Sequence, residues 1–402
     1  MGIIPWSVRL NMTVVANNKK QQEQQSSNSN KAIITIFVSQ HNQSINQSIN
    51  QSINQRSTNS NSMATAATTP RQIPLVLPGH SRPLAELQFL APPTEPNRTF
   101  LVSACHDKLP MIRDASTGDW IGTFQGHKGA VWSTKLDPMG YLAATASGDF
   151  SVKVWDGVTG TELFTFVHKH IVKTVDFSLD SRRLATGGHE GLLRVYDLAL
   201  GNKASNKGSV KEMKMVKDGE GKVNITKAIW LDNEIVLAAA SDGKIRAWNI
   251  LSEELVCTLE VGDGVRDMEV THLKDQTVLT VAAGTTVSFF QLATNNNSSA
   301  SNNTNGSEKK TVDGVLLHQH KMPIHFREEG GASLHPDGNK FVAGGSDLWV
   351  RVFDFASGDE LECHRGHHGP IRCLRYAPNG KTYATGSEDG TIRLWKTDPV
   401  VE

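Results

Sequence analysis

Short apolar runs recur along most of this chain, and turn-forming residues separate them. The runs VLTVAA and TVSFF, between Arg266 and Leu292, are rich in β-branched and aromatic residues. Turn signals such as HPDG at 335–338 and APNG at 377–380 lie between runs of this kind. Short runs bounded by glycine, proline and asparagine are typical of β-strands. The pattern therefore predicts an all-β domain built from many short strands.

A histidine and an aromatic residue stand 28 positions apart at three places. The pairs are His127 with Trp155, His168 with Tyr196, and His367 with Trp395. Each of these aromatic residues comes six positions after an acidic residue, and two further pairs and one degenerate pair keep that spacing: Asp242 with Trp248, Asp347 with Phe353, and Asp107 with Arg113. A recurring spacing of this kind indicates a repeat architecture.

From Gly79 onward the chain divides into seven units of roughly 40–50 residues. One unit, from Arg266 to Leu292, has lost both the histidine and the aromatic marker. Four short strands per unit, with Gly-His early and Trp-Asp late, are the signature of a WD40 propeller blade. The predicted fold class is an all-β, seven-bladed WD40 β-propeller with a disordered N-terminal extension.

Complete WD40 repeats join a histidine, a serine, an aspartate and a tryptophan in one hydrogen-bonded network, and two units match this pattern. The expected tetrads are His127, Ser147, Asp149 and Trp155, and then His367, Ser387, Asp389 and Trp395. Buried polar groups of this sort stabilise a fold only when all of them are hydrogen-bonded. A catalytic Ser-His-Asp set would use the same residue types, but recurrence in two blades favours a structural role.

The last unit ends too early to supply its own fourth strand. Only seven residues, KTDPVVE, follow Trp395, and they include a proline. The run IPLVL at 73–77, before the first Gly-His, is the expected fourth strand of the last blade, and this closure removes exposed sheet edges. Truncation before Ile73 should be tolerated, whereas truncation past Leu77 should be destructive.

The two ends of the chain differ in composition. The 402 residues carry 41 basic and 41 acidic side chains. Residues 1–62 hold five basic residues and one acidic residue, so residues 63–402 are net negative by four and do not resemble a general polyanion binder. Four cysteines without CxxC spacing suggest ordinary buried or part-buried thiols in a reducing compartment. No apolar run approaches membrane-spanning length.

Three segments have the composition of linkers. Residues 1–62 contain QQEQQSSNSN and a tandem NQSI repeat, which predicts disorder, and Met63 is the expected usual initiator. The inserts 201–222 and 294–311 are expected between the third and fourth strands of their blades, as mobile surface loops. A docking or phosphorylation segment is the alternative interpretation of the inserts. The domain division is therefore 1–62 and 63–402.

Several phrases resemble the serine/threonine kinase receptor-associated protein family. They are SACHDKLPMIRDASTGDWIGTFQGHKGAVW at 103–132, HKHIVKTVDF at 168–177, GLLRVYDL at 191–198 and GHHGPIRCLRYAPNGKTYATGSEDGTIRLW at 366–395. The degenerate first blade, with Arg113 followed by TGDWIGTF, is the specific part. Two features differ from the family pattern: the chain stops at Glu402 without the usual C-terminal tail, and the two polar inserts are extra.

The resemblance implies a non-enzymatic adaptor without cofactor, metal site or catalytic residues. Its expected partners are subunits of the survival-of-motor-neuron complex, Sm proteins and an RNA-binding cold-shock-domain protein, in the assembly and splicing work of small nuclear ribonucleoproteins. Animal members also bind TGF-β receptors and inhibitory Smads. The chain is expected to be a monomer within larger assemblies, in the cytoplasm and also the nucleus, without membrane contact. Direct RNA contact is left open.

Three alternative functions remain at this point. The WD40 subunit of eukaryotic translation initiation factor three is a near relative with about seven blades. A substrate receptor of a cullin ubiquitin ligase often carries arginine two positions after Trp-Asp or its equivalent. This chain has Val158, Ala199 and Ala356 at those positions, which weakens that interpretation. An enzyme is disfavoured because no metal spacing, P-loop or nucleophile elbow is present.

Propellers mostly bind partners through the loops that join the fourth strand to the next first strand and the second strand to the third. The candidate partner-binding residues in those loops are Arg82, His106, Lys128, Trp132, Lys169, Lys173, His189 and Arg372. A basic rim with an aromatic residue suits acidic peptide segments or RNA phosphates, and solubilising charge is the alternative interpretation. Trp120 and Trp349 are further candidates for contact, although burial between blades is the favoured interpretation.

Overall fold

The computed structural model describes residues 72–198, 210–215, 223–297, 309–326 and 330–397, and within them the strands form seven antiparallel sheets. The predicted seven-bladed propeller is confirmed. The predictions for residues 1–62, for the start at Met63 and for the insert residues 201–209, 216–222 and 298–308 lie outside the described residues. In the described part, no helix is long and apolar enough to pass through a membrane.

The first four blades each contain four consecutive strands. Blade 1 is built from β2 (Leu84–Leu90), β3 (Phe100–Cys105), β4 (Met111–Asp114) and β5 (Trp120–Thr123). Blade 2 is built from β6 (Val131–Leu136), β7 (Leu142–Ser147), β8 (Ser151–Asp156) and β9 (Glu162–Val167). Blade 3 is built from β10 (Val172–Phe177), β11 (Arg183–Gly188), β12 (Leu192–Asp197) and β13 (Val210–Lys214). Blade 4 is built from β14 (Ile225–Trp230), β15 (Ile235–Ala240), β16 (Lys244–Asn249) and β17 (Glu254–Glu260).

The last three blades depart from that plan or complete it. Blade 5 has three strand elements, β18 (Val265–His272), β19 (Thr277–Asn297) and β20 (Lys309–Phe326). Blade 6 is built from β21 (Gly331–Leu334), β22 (Lys340–Gly344), β23 (Trp349–Asp354) and β24 (Glu360–Arg365). Blade 7 is built from β25 (Ile371–Tyr376), β26 (Thr382–Ser387), β27 (Ile392–Lys396) and the early strand β1 (Leu75–Leu77).

The ring closes through β1. Leu75 pairs with Leu394 and Leu77 with Ile392, so β1 lies against the free edge of β27. The first strands of neighbouring blades contact each other in cyclic order, and β25 of blade 7 contacts β2 of blade 1. These first strands are therefore innermost and surround the central channel of the propeller.

Both predicted inserts contain residues in β-strands, although the sequence predicted loops there. The fourth strand of blade 3, β13, lies inside 201–222 and not after it, which corrects the predicted position of this insert. Buried Met213 pairs with Leu193 of β12, and Val210, Glu212 and Lys214 are exposed on the opposite face. Lysine-rich edge strands of this type protect a sheet from further pairing, which is why composition alone suggested a loop. In 294–311, β19 and β20 continue the blade 5 pairing from Thr294 with Val312 to Asn297 with Lys309.

The apolar core lies between neighbouring blades. Trp155 of blade 2 is fully buried against Phe124 and Val102, which belong to blade 1, and Trp395 occupies the same place in blade 7. Trp120 differs from the expectation of burial, because it lies on the outer strand β5 with 60% of its surface exposed. Trp349 is half-buried beneath Arg365, whose guanidinium carbon lies 4.0 Å from the ring centroid.

Candidate functional site

The polar network of blade 2 runs from the tryptophan to the aspartate through a threonine. The Trp155 indole N–H donates to Thr145 Oγ1 at 2.9 Å, and Thr145 Oγ1 lies 2.7 Å from His127 Nε2. His127 Nδ1 lies 2.8 Å from Asp149 Oδ2. Blade 7 repeats the arrangement with Trp395, Thr385, His367 and Asp389 at 2.9, 2.8 and 3.1 Å. Both networks join the second and third strands of a blade to its preceding loop.

Ser147 and Ser387 are not the hydroxyl members of these networks, which corrects the tetrads expected from the sequence. Ser147 Oγ donates to the Ala130 carbonyl at 3.0 Å, and Ser387 Oγ donates to the Gly369 carbonyl at 2.8 Å. Residues 145 and 147 share one face of β7, so spacing alone cannot choose between them. Ser147 lies at the strand end and supports the turn, whereas the Thr145 hydroxyl lies at the indole N–H of Trp155.

The aspartates of both networks are held in the ionised form. Burial would raise the pKa of Asp149, but hydrogen bonds from His127, Ser151 and the Lys128 amide hold it well below its usual range. Asp389 has the same balance through His367 and Thr391, and its pKa is likewise well below normal. Thr145 and Thr385 are fully buried, so each hydroxyl serves its network and is closed to substrate. The arrangement stabilises the blades.

Blade 1 keeps three of the four members. His80 lies 2.8 Å from both Asp107 and Ser103, while Arg113 replaces the tryptophan and donates to the Pro78 and Gly118 carbonyls. The Cys105 thiol lies beside His80 and Asp107, and these three groups could together hold a metal ion. Cys105 already donates to the Arg82 carbonyl, and burial raises its thiol pKa to about 12, which works against the thiolate a metal needs.

Three other blades use the marker acid differently. In blades 3, 4 and 6 the acid forms an ion pair with an arginine four residues later: Glu190 with Arg194, Asp242 with Arg246, and Asp347 with Arg351, at 2.7, 2.6 and 2.7 Å. Burial and Arg194 together lower the pKa of His168 to about 3, so that ring is neutral in blade 3. The acid that precedes the aromatic residue by six positions is therefore held in one of two ways, by a histidine network or by an ion pair with arginine. We call these two arrangements polar locks of the blade.

A second group of residues lies at the mouth of the channel. In six blades the pairing of the first strand with the second strand shifts by one residue. The shift comes directly after the first paired residue of the first strand, which is apolar in every case. A bulge of this kind re-aims the extra side chain. The six bulge residues are Ala85, Trp132, Lys173, Thr226, Arg266 and Arg372, and all of them line one cavity of about 240 Å³. Because they come from six first strands around the ring, the cavity lies at the channel mouth.

Trp132 is clamped between two neighbours at this mouth. The His106 ring packs edge-on against it with centroids 4.3 Å apart, and Lys173 Nζ lies 2.9 Å from its centroid. Burial first, and then Arg372, Lys173 and Arg82, lower the pKa of His106 to about 4. Cations from three blades therefore act on one neutral imidazole, which shows that they are concentrated in one place.

The aromatic and basic surface continues over blade 3. His189 also lines the cavity, and its ring lies 5.2 Å from that of His170, which in turn lies 5.5 Å from Phe150. Phe150 has 42% of its surface exposed at the tip of a turn. A strip of rings and cations thus extends from the channel mouth over blades 2 and 3.

The eight predicted partner-binding residues separate into two groups. Trp132, Lys173, His189 and Arg372 line the cavity, and His106 packs against Trp132. The remaining three are exposed on the adjacent loops, where the Lys128 and Lys169 amides cap Asp149 and Glu190: Arg82, Lys128 and Lys169. The structure therefore brings five of the eight together around one cavity.

Arg266 is the functional candidate that the sequence reasoning missed. Blade 5 lacks both markers, so no register was available for it. The sequence signal is the residue that follows the first apolar residue of each first strand. Aligned on that apolar residue, Val265-Arg266-Asp267 of blade 5 matches Ile371-Arg372-Cys373 of blade 7. That alignment places Arg266 at the bulge position.

Below the mouth, ion pairs cross the channel. Lys227 of blade 4 lies 2.7 Å from Glu86 of blade 1, and Arg375 of blade 7 binds Asp267 of blade 5 through two contacts of 2.6 and 2.7 Å. Burial would raise the pKa of Glu86, but Lys135 and Lys227 lower it to about 2. These two carboxylates are thus each paired with a cation of another blade.

Comparisons with known proteins agree with this architecture. The family model described as WD domain, G-beta repeat matches residues 118–156, 160–197 and 358–396. A serine-threonine kinase receptor-associated protein from Homo sapiens is 41% identical over 327 residues, which cover 81% of this chain and 83% of the relative. Its namesake from Dictyostelium discoideum is 40% identical over 326 residues, 80% of this chain and 98% of the relative. Eukaryotic translation initiation factor 3 subunit I from Pyricularia oryzae is 28% identical over 341 residues.

Proposed function

Because the chain belongs to the serine-threonine kinase receptor-associated protein family of WD40 propellers, we propose that it is a non-enzymatic adaptor that assists the survival-of-motor-neuron complex in assembling spliceosomal small nuclear ribonucleoproteins. The proposal expects it to work as one propeller within a larger assembly, in the cytoplasm and also in the nucleus. A role at a serine-threonine kinase receptor is the second candidate, and it is supported by the names of the related proteins.

The channel mouth is the observation that carries the adaptor proposal. Six blades aim one side chain each into a single cavity, and Trp132, Lys173 and Arg372 are among them. Tryptophan and arginine are the residues most often found at the energetic centre of protein interfaces. By contrast, the buried histidine networks have their hydrogen bonds satisfied within the propeller and offer little to a partner.

The proposal is tested by affinity purification of the full-length chain from cells, followed by mass spectrometry. Recovery of survival-of-motor-neuron subunits and Sm proteins would support it. Recovery of translation initiation factor three subunits instead would assign the chain the role of its 28% identical relatives and overturn the proposal. Recovery of a receptor kinase without Sm proteins would select the second candidate. Ribonuclease treatment before elution distinguishes protein contacts from contacts through RNA.

A further inference from the structure

One exposed aromatic residue on the face of the channel mouth has a strained backbone. Phe150, in the turn between β7 and β8, has a φ of 68° and 42% of its surface exposed. Blades 3, 4 and 7 have Gly191, Gly243 and Gly390 at the same turn position, with φ of 74°, 76° and 77°. A bulky residue rarely adopts a positive φ, because its Cβ atom crowds the backbone. Phenylalanine is therefore unfavourable for this turn compared with glycine, which points to a role outside the fold.

His170 of the loop before blade 3 supports the Phe150 ring. The two ring centroids lie 5.5 Å apart with an interplanar angle of 34°. The Phe150 carbonyl accepts a hydrogen bond from the His168 amide at 2.8 Å, so the turn is tied to the loop that carries His170. His170 Nδ1 accepts from the Ile171 amide at 2.8 Å, so Nε2 carries the proton of the neutral ring, and this N–H has no partner among the residues that the structure describes. The Phe150 ring is thus supported by a neighbour, partly exposed, and close to an unused donor.

Two lysines stand on either side of the turn that carries Phe150. The Lys128 amide donates to Asp149 at 2.8 Å, and the Lys169 amide donates to Glu190. Both lysine side chains are exposed, and neither ammonium group has an ion-pair partner in the described part of the chain. The Asp149 and Glu190 side chains, by contrast, are only 13% and 7% exposed. The charges that a partner meets beside Phe150 are therefore mainly positive.

We propose that Phe150, His170, Lys128 and Lys169, here called the Phe150 rim, dock an extended segment of a partner protein in which a large apolar side chain is followed by carboxylates. The apolar side chain covers the exposed part of Phe150, since aromatic anchors of this kind dominate binding at protein interfaces. The carboxylates meet the two ammonium groups and the His170 N–H in charge-assisted contacts. The inference rests on the proposed adaptor function, since a partner protein must supply the segment.

A nucleic acid strand fits the Phe150 rim less well. Single-stranded nucleic acid is held by successive exposed rings along a positive groove. Phe150 is exposed, but His170 is half-buried, and so is His189, whose ring is the next one along the strip at 5.2 Å from His170. A peptide segment needs only one such anchor. The single exposed ring therefore favours a peptide.

Peptide display with the full-length chain tests the proposal. A library of random short peptides is first depleted on the Phe150→Gly variant and then selected on the wild-type chain, so that the remaining binders need Phe150. The enriched peptides should carry a large apolar residue followed by aspartate or glutamate. In fluorescence anisotropy, replacing that apolar residue by alanine should weaken binding about tenfold, and added salt should weaken it as well. A selection that enriches no peptide, or only peptides without this pattern, would overturn the proposal.

Substitutions separate the binding role of Phe150 from its role in the fold. Phe150→Gly should weaken the selected peptide by about tenfold or more, yet melt close to the wild type, because relief of the left-handed strain offsets the lost contact with His170. Lys108→Gly is the matched control, since Lys108 is exposed at the same turn position of blade 1 with a φ of 76°, and it should leave binding unchanged. Lys169→Gln should weaken binding about threefold and reduce its salt dependence. Equal loss of binding in Phe150→Gly and Lys108→Gly would contradict the assignment.

Two further measurements distinguish this inference from RNA binding and from the adaptor proposal. A labelled single-stranded RNA that binds the wild-type chain more tightly than the selected peptide, and loses that binding in Phe150→Gly, would overturn the inference and assign the rim to RNA. In affinity purification, the wild-type chain, Phe150→Gly and Lys108→Gly are compared. Survival-of-motor-neuron subunits lost from Phe150→Gly alone would support the inference. Equal recovery by all three chains would sink the inference and keep the adaptor function, whereas a wild-type chain that captures no partner would sink the adaptor function.

Discussion

Replacing Thr145 by valine removes one hydroxyl from the centre of the blade 2 network. That hydroxyl accepts from the Trp155 indole at 2.9 Å and serves His127 Nε2 at 2.7 Å. Valine keeps the shape of threonine, and the site is fully buried, so water cannot replace either contact. The substitution therefore leaves an indole N–H and an imidazole nitrogen without partners.

The magnitude follows from the two groups left unpaired. Each buried group without a partner costs about 1–3 kcal/mol. The two belong to one network, so their costs do not add fully, and we expect a loss of about 3 kcal/mol in the free energy of unfolding. In a domain of this size that loss should lower the melting temperature by roughly 5 °C.

The assay is thermal and urea unfolding of the full-length chain, with the Trp155 indole resonance as a local readout. Thr280→Val is the matched control, because Thr280 is equally buried and its hydroxyl has no partner among the described residues. It should be neutral or slightly stabilising. Ser147→Ala should cost only about 1 kcal/mol and leave the indole resonance in place, since Gly148 also donates to the Ala130 carbonyl. A wild-type melting temperature for Thr145→Val, together with a large loss for Ser147→Ala, would refute the threonine network.

Four further predictions follow from the blade locks, the channel and the ring closure. Trp248 Nε1 has no partner among the described residues, because Ala238 stands where blade 2 has Thr145, so Ala238→Ser should raise stability by about 0.5–1.5 kcal/mol in urea unfolding, whereas Ala239→Ser should lower it. The lowered pKa of Asp149 contributes stability that is present above the unfolded-chain pKa of about 3.9 and is lost as pH falls toward the folded-state pKa; Asp149→Asn should therefore flatten the decline of the urea midpoint below about pH 4, and parallel curves would contradict this. Arg375→Met should cost about 3–5 kcal/mol by leaving Asp267 without its two-contact partner, and adding Asp267→Leu should restore much of the loss in melting experiments. A chain that starts at Ile73 should melt like the full-length chain, whereas one that starts after Leu77 should lose soluble yield and melting temperature because β27 is left with an open edge.

The fold was predictable because the same marker residues recur in several blades. Histidine, acid and aromatic residue recur at fixed spacing, and even the degenerate Asp107 and Arg113 keep the register of blade 1. Blade 5 shows the limit. Its markers are gone, and β19 pairs with β18 through Thr277–Ala283 and with β20 through Gly284–Asn297, with Gly284 at a φ of 56° between them. Local composition therefore gave two apolar runs but no blade boundaries.

The candidate site was predictable in part, and the errors have physical reasons. The prediction placed Trp132, Lys173 and Arg372 in loops, whereas the structure places them in the first strands β6, β10 and β25. They still reach the predicted face, because each lies at the bulge next to the preceding loop. The sequence prediction named Ser147 in place of Thr145, because both side chains point to the same face of β7. Arg266 was missed because a bulge, rather than a sequence marker, aims it at the channel, and bulges become visible only when strand registers are compared.

The three repeats that the family model matches each keep both the histidine and the aromatic marker. Its matches end at Asp156, Asp197 and Lys396, one residue after Trp155, Tyr196 and Trp395. Each of those aromatic residues belongs to a blade with a histidine before its first strand. Blades 4 and 6 replace the histidine lock with an arginine pair, at Arg246 and Arg351. The fold survives that exchange because either lock fixes the same acid.

The central claim is that partners bind at the channel mouth. The most direct test is quantitative affinity purification of full-length wild-type chain, an Arg266→Glu/Arg372→Glu variant and Arg182→Glu as the opposite-end control, after all three are shown to melt alike. The account predicts that the mouth variant loses the proteins that the wild type and the control recover in equal amounts. Recovery of the same proteins in the same amounts by all three chains would contradict it.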